Sequence, residues 1–359
     1  MNYNSKRNYT LDLAKGMTIF FMLWGHCIQY CYIGSNLDFF ENPVFKFIYS
    51  FHMPLFMLLS GYFFFYSFRK RNLKDLIVHR GKTLICTIIF GGILNYFLSY
   101  FIFDVLIGDF SFFESIKLLI SSSSSLWFLW SVLFSSAFVA IVCKKTDSLI
   151  KQLLFLSLFG IVFLFLPHRD LDLFMYPYFL LGFYFSKYKE KISEHHIKTA
   201  NYIFTIIFLT MILFFDKKHF IYTTGLFDRL NFFGQINTDI FRWLIGLSGS
   251  IFMLNIVQLI SKISKSNNFI NSITEKIVYL GVNSLEFYCI STSVLSFWLP
   301  KIVNYIILPL NDMKNILVNN MFVYNFVLTP LLAILFSLFI YLILFIIRKI
   351  KLNKIIFGR

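Results

Sequence analysis

Apolar residues along this chain gather in long unbroken runs instead of recurring at alternate or every-third positions. Ten runs stand out, near 13–33, 43–66, 83–103, 125–143, 149–167, 173–187, 199–215, 239–261, 277–299 and 321–347. A helix of about 17–25 apolar residues spans the hydrocarbon of a bilayer. Backbone groups in lipid must be satisfied within the segment, and the two-residue alternation of barrel strands is missing, so helices are the structure these runs predict. The expected fold is all-α, a polytopic integral membrane protein of about ten transmembrane helices. No interruption is long enough for a separate soluble domain and no internal repeat is visible, so 1–359 reads as one membrane-embedded domain. Lys6 and Arg7 precede the first run without a small-residue cleavage site, which predicts a first helix and not a removed signal peptide.

Composition agrees with the pattern. Hydrophobic residues make up 58% of the chain, there are 49 Phe, charged residues are only 14%, and mean hydropathy is +0.70. A net charge of +15 raises the question of nucleic acid, and the placement of the charges answers it. With the N-terminus inside, the stretches on that side carry 23 of the 33 Lys and Arg, the opposite loops seven, and three (Lys15, Lys46 and Arg242) fall within helices. This is the positive-inside bias, so both termini are expected in the cytoplasm of a bacterial inner membrane, and no nucleic-acid partner is implied. The five cysteines show no metal-like spacing, and no metal is expected.

Ionisable groups inside such helices carry the chemical signal, because each costs about 2.5–3.5 kcal/mol at the bilayer centre even on the gentler scales. The first run holds Asp12, Lys15 and His26. Eleven helical residues separate Lys15 from His26, which returns them to within about 20° of one direction, about 16 Å apart along the axis. That puts a cation at the cytoplasmic mouth and an imidazole near mid-bilayer on one face. His26 can take a proton from an attacking hydroxyl or amine, or carry an acyl group itself. The plainer alternatives are a histidine bonded between helices and a snorkelling Lys15.

His52 in the second run also falls near the midplane, beside a kinking Pro54. Ser60, eight residues on, is about 80° round from it and badly aligned for a serine–histidine pair. Glu286 in the ninth run must be protonated or paired, with Lys15 or a histidine as expected partners. The inner loop 67–82 gathers Arg80, Lys82 and other cations that suit phosphates, although the charge bias predicts them as well. The Ser121–Ser125 run reads as a polar entry to the fourth helix, ahead of interfacial tryptophans at Trp127 and Trp130. The outer segment 216–238 is polar and aromatic; it suits contact with sugar, and equally an ordinary solvated connection.

Several ordered motifs together resemble the acyltransferase-3 family of bacterial membrane acyltransferases. Asp12-Leu13-Ala14-Lys15-Gly16 with Trp24-Gly25-His26 is similar to its helix-one signature. Phe51-His52-Met53-Pro54-Leu55-Phe56 with Leu59-Ser60-Gly61-Tyr62 looks like its second. Leu126-Trp127-Phe128-Leu129, Tyr176-Pro177-Tyr178-Phe179-Leu180-Leu181-Gly182 and Asn283-Ser284-Leu285-Glu286-Phe287-Tyr288 also fit. Two departures are local: Ser291 stands where many members have histidine, and Arg80-Gly81-Lys82 stands where two arginines are common. The chain is not expected to carry the extra esterase-like domain of some members.

The resemblance implies a cytoplasmic acyl-CoA donor, usually acetyl-CoA, with no bound cofactor, and a hydroxyl acceptor on a surface polysaccharide or its lipid-linked precursor. It implies His26 as the central catalytic histidine, with His52 and Glu286 in proton handling. It gives Lys15, Arg80 and Lys82 to the donor, and Asp12, Ser60, Trp127 and Asn283 to positioning. Succinyl transfer, an amine acceptor, or a glycan or lipid transporter are the rival readings; a transporter would show repeated halves or interrupted half-helices.

Overall fold

The computed structural model describes residues 8–34, 38–98, 112–166, 168–226, 232–302 and 320–358. Among these the chain is helical, with no strand. The principal helices are α1 (Tyr9–Gly34), α2 (Pro43–Lys70), α3 (Leu73–Phe97), α4 (Phe112–Ser124), α5 (Trp127–Lys145) and α6 (Leu149–Gly160). They continue with α7 (Arg169–Tyr188), α8 (Glu194–Met211), the single turn α9 (Ile221–Thr224), α10 (Phe232–Ser264), α11 (Asn268–Val282), α12 (Ser284–Ile302) and α13 (Thr329–Lys349).

Helices coincide with all ten apolar runs, but among the described residues six are long and apolar enough, by length and composition, to cross a bilayer: α2, α3, α5, Glu194–Phe214, Phe233–Ser264 and Met321–Lys349. Local features account for the difference. Asp12, Lys15, His26 and Gln29 dilute α1, and α7 begins with Arg169, Asp170 and Asp172. The fifth run gives the short α6 followed by a 3-10 turn over Ile161–Phe165. The ninth run, expected as one helix, breaks at Asn283 into α11 and α12. α4 was not expected; it ends in the serine run, and the part of the third run beyond residue 98 lies outside the described residues.

The chain forms two compact units. One comprises Met1–Thr18, Lys46–Gly81 and Phe128–Val282; the other comprises Ile19–Phe45, Lys82–Trp127 and Asn283–Arg359. The first is drawn together by glycines at two helix crossings. A Cβ on Gly61 of α2 would lie 2.9 Å from the carbonyl carbon of Phe179 in α7, and one on Gly182 of α7 would lie 2.9 Å from that of Leu58 in α2. α1 and α11 meet in the same way: a Cβ on Gly16 would lie 2.7 Å from the carbonyl carbon of Ile277, and one on Gly281 would lie 2.7 Å from the Gly16 nitrogen. Small residues let helix backbones touch where lipid offers no hydrophobic drive to pack them. These four glycines therefore set helix spacing.

At one end of this unit the side chains that the charge bias assigns to the cytoplasm converge on the last turns of α2. Lys15 lies 4.4 Å from the ring of Phe63, Lys144 4.4 Å from that of Phe68, and Arg80 5.9 Å from that of Phe64. Lys189 donates to the hydroxyls of Tyr62 and Tyr66 at 2.8 and 2.9 Å. Cations over aromatic faces keep their charge while covering apolar surface.

In the second unit Asn95 of α3 donates to the Ser122 carbonyl at 3.2 Å and to the Ser125 hydroxyl at 2.6 Å, so the serine run is a helix-end tie to α3. The C-terminal segment returns to α3, where buried Phe357 meets Phe90 in the second half of that helix, with ring centroids 5.9 Å apart.

Candidate functional site

In the first unit Asp12 is 3% exposed and accepts an ion pair from Lys15 at 3.0 Å. The Gly16–Gly281 crossing and the 2.7 Å bond from the Tyr9 hydroxyl to Thr274 fix this end of α1 on α11. Lys15 is thus held by a carboxylate and a ring, a firmer placement than simple snorkelling. His52 is buried, with Nδ1 3.0 Å from the Ile48 carbonyl and its ring 4.6 Å from that of Tyr49. A carbonyl only accepts, so Nδ1 carries the proton and Nε2 keeps the lone pair. The Ser60 hydroxyl donates at 2.8 Å to the Phe56 carbonyl of its own helix.

The second unit holds His26. α1 is unbroken from Tyr9 to Gly34, and the outer part of the helix is tied at two points. The Trp24 indole donates to the Thr329 hydroxyl at 2.9 Å, and the Ile28 carbonyl accepts from the Tyr324 hydroxyl at 2.9 Å. Between these ties His26 places Nδ1 3.1 Å from Gln29 Oε1 and lies over Tyr30 with centroids 6.1 Å apart. With the amide oxygen accepting, Nδ1 again holds the proton and Nε2 the lone pair. Gln29, Tyr324 and Thr329 were not singled out in the sequence.

Glu286 is 6% exposed and pairs with Arg348 at the end of α13, a partner the sequence did not single out. The same guanidinium donates to Asn283 at 2.7 Å, so the break between α11 and α12 brings an amide and a carboxylate onto one arginine. Lys82 is exposed and, like Arg80, lies within α3 (Leu73–Phe97) and not in the inner loop expected over 67–82, because the helix begins at Leu73; Trp127 is half-buried at the start of α5. Ser291, where relatives place histidine, donates to the Tyr288 carbonyl at 2.9 Å. Among the described residues no three His, Cys, Asp or Glu gather as a metal would require, and the Cys31 side chain lies outside them.

Two further buried polar groups in the first unit, Asp172 and Arg242, were not singled out as site candidates, although Arg242 is a cation within an apolar run. Asp172 of α7 is 2% exposed and accepts from the Ser131 hydroxyl of α5. Arg242 of α10 is 1% exposed and pairs with Asp239 at 2.8 Å. It also donates to the carbonyls of Lys218, His219, Phe220 and Gly225 and to the Thr224 hydroxyl. The segment expected as a possible solvated loop is therefore a cap folded round one guanidinium, although Asp228, Arg229 and Asn231 lie outside the described residues. His219 in this cap is buried, with its ring centroid 4.1 Å from that of Phe241. Burial, then the Lys218 charge, push it down to about 4 against the opposing pull of Asp216, and Arg242 adds to the depression.

The sequence profile of the acyltransferase-3 family, described as an acyltransferase domain, matches residues 8–349. The chain belongs to this family. The acyltransferase is also similar to two curated relatives, each called nodulation protein NolL. One, from Sinorhizobium fredii, is 29% identical over 196 residues, covering 52% of this chain and 51% of the relative. The other, from Mesorhizobium japonicum, is 26% identical over 187 residues, covering 51% and 49%. The chain thus spans about half the length of the curated relatives it matches. No solved structure matches it. The family match takes in every site residue considered above, from Asp12 to Arg348, and the apolar helices make the acyltransferase a membrane protein.

Proposed function

We propose that this acyltransferase is a multi-pass enzyme of the bacterial inner membrane, with about ten spans and both termini in the cytoplasm. It moves an acetyl group from cytoplasmic acetyl-CoA to a hydroxyl of a surface polysaccharide or its lipid-linked precursor. The observation that carries this reading is His26: an imidazole on the long helix α1, its Nδ1 3.1 Å from Gln29 Oε1, in a chain of the acyltransferase-3 family.

In the proposed reaction Nε2 removes the proton of the acceptor hydroxyl as its oxygen attacks the thioester carbonyl. The carbon–sulfur bond breaks, coenzyme A leaves as thiolate, and the imidazolium returns the proton to sulfur. Lys15, Arg80 and Lys82 hold the phosphates of the donor, with Lys15 kept in place by Asp12. His52 presents a second basic Nε2, and the Arg348–Glu286–Asn283 cluster orders the start of α12.

The test is transfer of radiolabelled acetyl from acetyl-CoA in inverted membrane vesicles supplied with the native glycan pool, comparing wild type with His26→Ala. Label on carbohydrate that depends on His26 is expected. Equal labelling without the imidazole would refute its role, and glycan movement without label would favour a transporter. Acetyl recovered on histidine after an acid quench would make His26 an acyl carrier in place of a base.

A further inference from the structure

The helix that precedes α13 is wound differently from the rest. Tyr324–Leu328 forms a π turn, and it is from this turn and the residue after it that both ties to α1 come. On a regular helix residues five apart point about 140° away from each other. Tyr324 and Thr329, five apart, nevertheless both reach α1. The wider i→i+5 turn brings them to one side. Thr329 closes the arrangement: its backbone N–H donates to the Tyr324 carbonyl, and its hydroxyl lies 3.1 and 3.2 Å from the carbonyls of Tyr324 and Asn325, to which it donates.

The ties fall on either side of the imidazole. Trp24 is two residues before His26 and Ile28 two residues after it, and both Tyr324 and Thr329 are essentially buried, at 2% and 0% exposure. The neighbouring Asn325, also buried, accepts from Asn42 at 2.7 Å, and Asn42 caps the first turn of α2 through the backbone nitrogens of Val44 and Phe45. The π turn is therefore fastened in turn to a helix start and is not a loosely wound stretch.

We propose that the π turn Tyr324–Leu328, with Thr329, is a positioning device for His26. Its two hydroxyls fix the rotation of α1 about its axis, and hence the direction in which Nε2 is presented. A regular helix at this place would turn one of the two hydroxyls away and leave the part of α1 around His26 with one of these two ties. The proposal deepens the functional reading, because the presented nitrogen is the one assigned to proton removal. A misplacement of about 1 Å at a reacting group costs up to about 100-fold in rate.

The experiment uses Thr329→Val and Tyr324→Phe, which keep shape and lose the hydrogen bonds, with Thr329→Ser as the conservative restoration. In purified, monodisperse protein, kcat for acetyl transfer should fall about 10- to 100-fold while KM for acetyl-CoA stays within about twofold. Thr329→Ser should restore most of the rate. Independently of activity, carbethoxylation of His26 by diethylpyrocarbonate, followed by mass spectrometry, should change at least threefold in rate in both variants and return in Thr329→Ser. Unaltered kcat and unaltered His26 carbethoxylation in folded Thr329→Val would overturn the proposal, as would a rise in KM with kcat unchanged. Should wild type transfer no acetyl group, the functional reading fails alone, and the carbethoxylation arm still decides the positioning role. A Tyr324→Phe protein that does not fold leaves the decision with the Thr329 pair.

Discussion

Substituting the glycines at the α2–α7 crossing tests whether they set helix spacing. In Gly61→Ala the new Cβ would lie 2.9 Å from the Phe179 carbonyl carbon, and in Gly182→Ala 2.9 Å from that of Leu58. The carbonyl oxygen in each case lies closer still, and ordinary contact needs 3.4 Å or more, so either substitution forces the helices to part by more than about 1 Å. Overpacking of this kind costs about 1–3 kcal/mol, against a gain of about 1 kcal/mol in helix propensity on replacing glycine. Each single variant should therefore lose up to about 2 kcal/mol. Because one displacement makes room for both methyl groups, Gly61→Ala/Gly182→Ala should cost little more than either single change, a coupling of about 1 kcal/mol. Gly61→Ala combined with Gly281→Ala acts on two different crossings, so those costs should add to within about 0.5 kcal/mol. Equilibrium unfolding in mixed micelles measures all five proteins. Simple additivity for Gly61 with Gly182 would refute the shared-displacement argument, and stabilised single variants would refute the close approach itself.

Three other outcomes are expected. Arg348→Gln should destabilise by about 1–3 kcal/mol and more than Glu286→Gln, because the carboxylate left behind is the more deeply buried partner; a double variant as unstable as Arg348→Gln would contradict this. His219 has its folded value pushed down to about 4 from 6.5, so the unfolded chain binds the extra proton between those values. Its contribution is complete above about pH 6.5 and is lost as pH falls toward 4; wild-type melting temperature should drop between pH 7 and pH 5 more than that of His219→Phe, and parallel curves would sink the assignment. Arg242→Lys keeps the charge but cannot reach six acceptors, so limited proteolysis at Lys217 and Lys218 should accelerate; an unchanged cleavage rate would show that the cap holds without the guanidinium.

The sequence made the helical class plain, because long apolar runs need no tertiary information to be recognised. It also located His26, His52, Lys15 and Glu286, since ionisable groups in such runs are conspicuous. Hydropathy runs through Asn283 without a pause, so the division into α11 and α12 did not show; the break is made by the packing of Gly281 against α1 and by the pull of Arg348 on Asn283. The partner of Glu286 was missed because it lies 62 positions away in a terminal cluster of cations that looked purely topological. Tyr324 and Thr329 escaped for a related reason: at regular helical spacing they do not share a face, and only the π turn brings them together. The glycines in the motifs read as part of a signature, and their physical role emerged only when Gly61 was found against α7 and Gly16 against α11.

The Ser131–Asp172 pair bears on how the protein is made. α7 is not among the helices that can enter a bilayer alone, and its first turn brings a carboxylate that is wholly enclosed in the finished fold. The hydroxyl that receives this carboxylate sits on α5, which leaves the ribosome earlier. During synthesis the hydroxyl on α5 thus exists before the carboxylate that it receives. An order of birth is written into the order of the helices, and a rearranged chain that emitted α7 first would meet an insertion barrier that the natural order avoids.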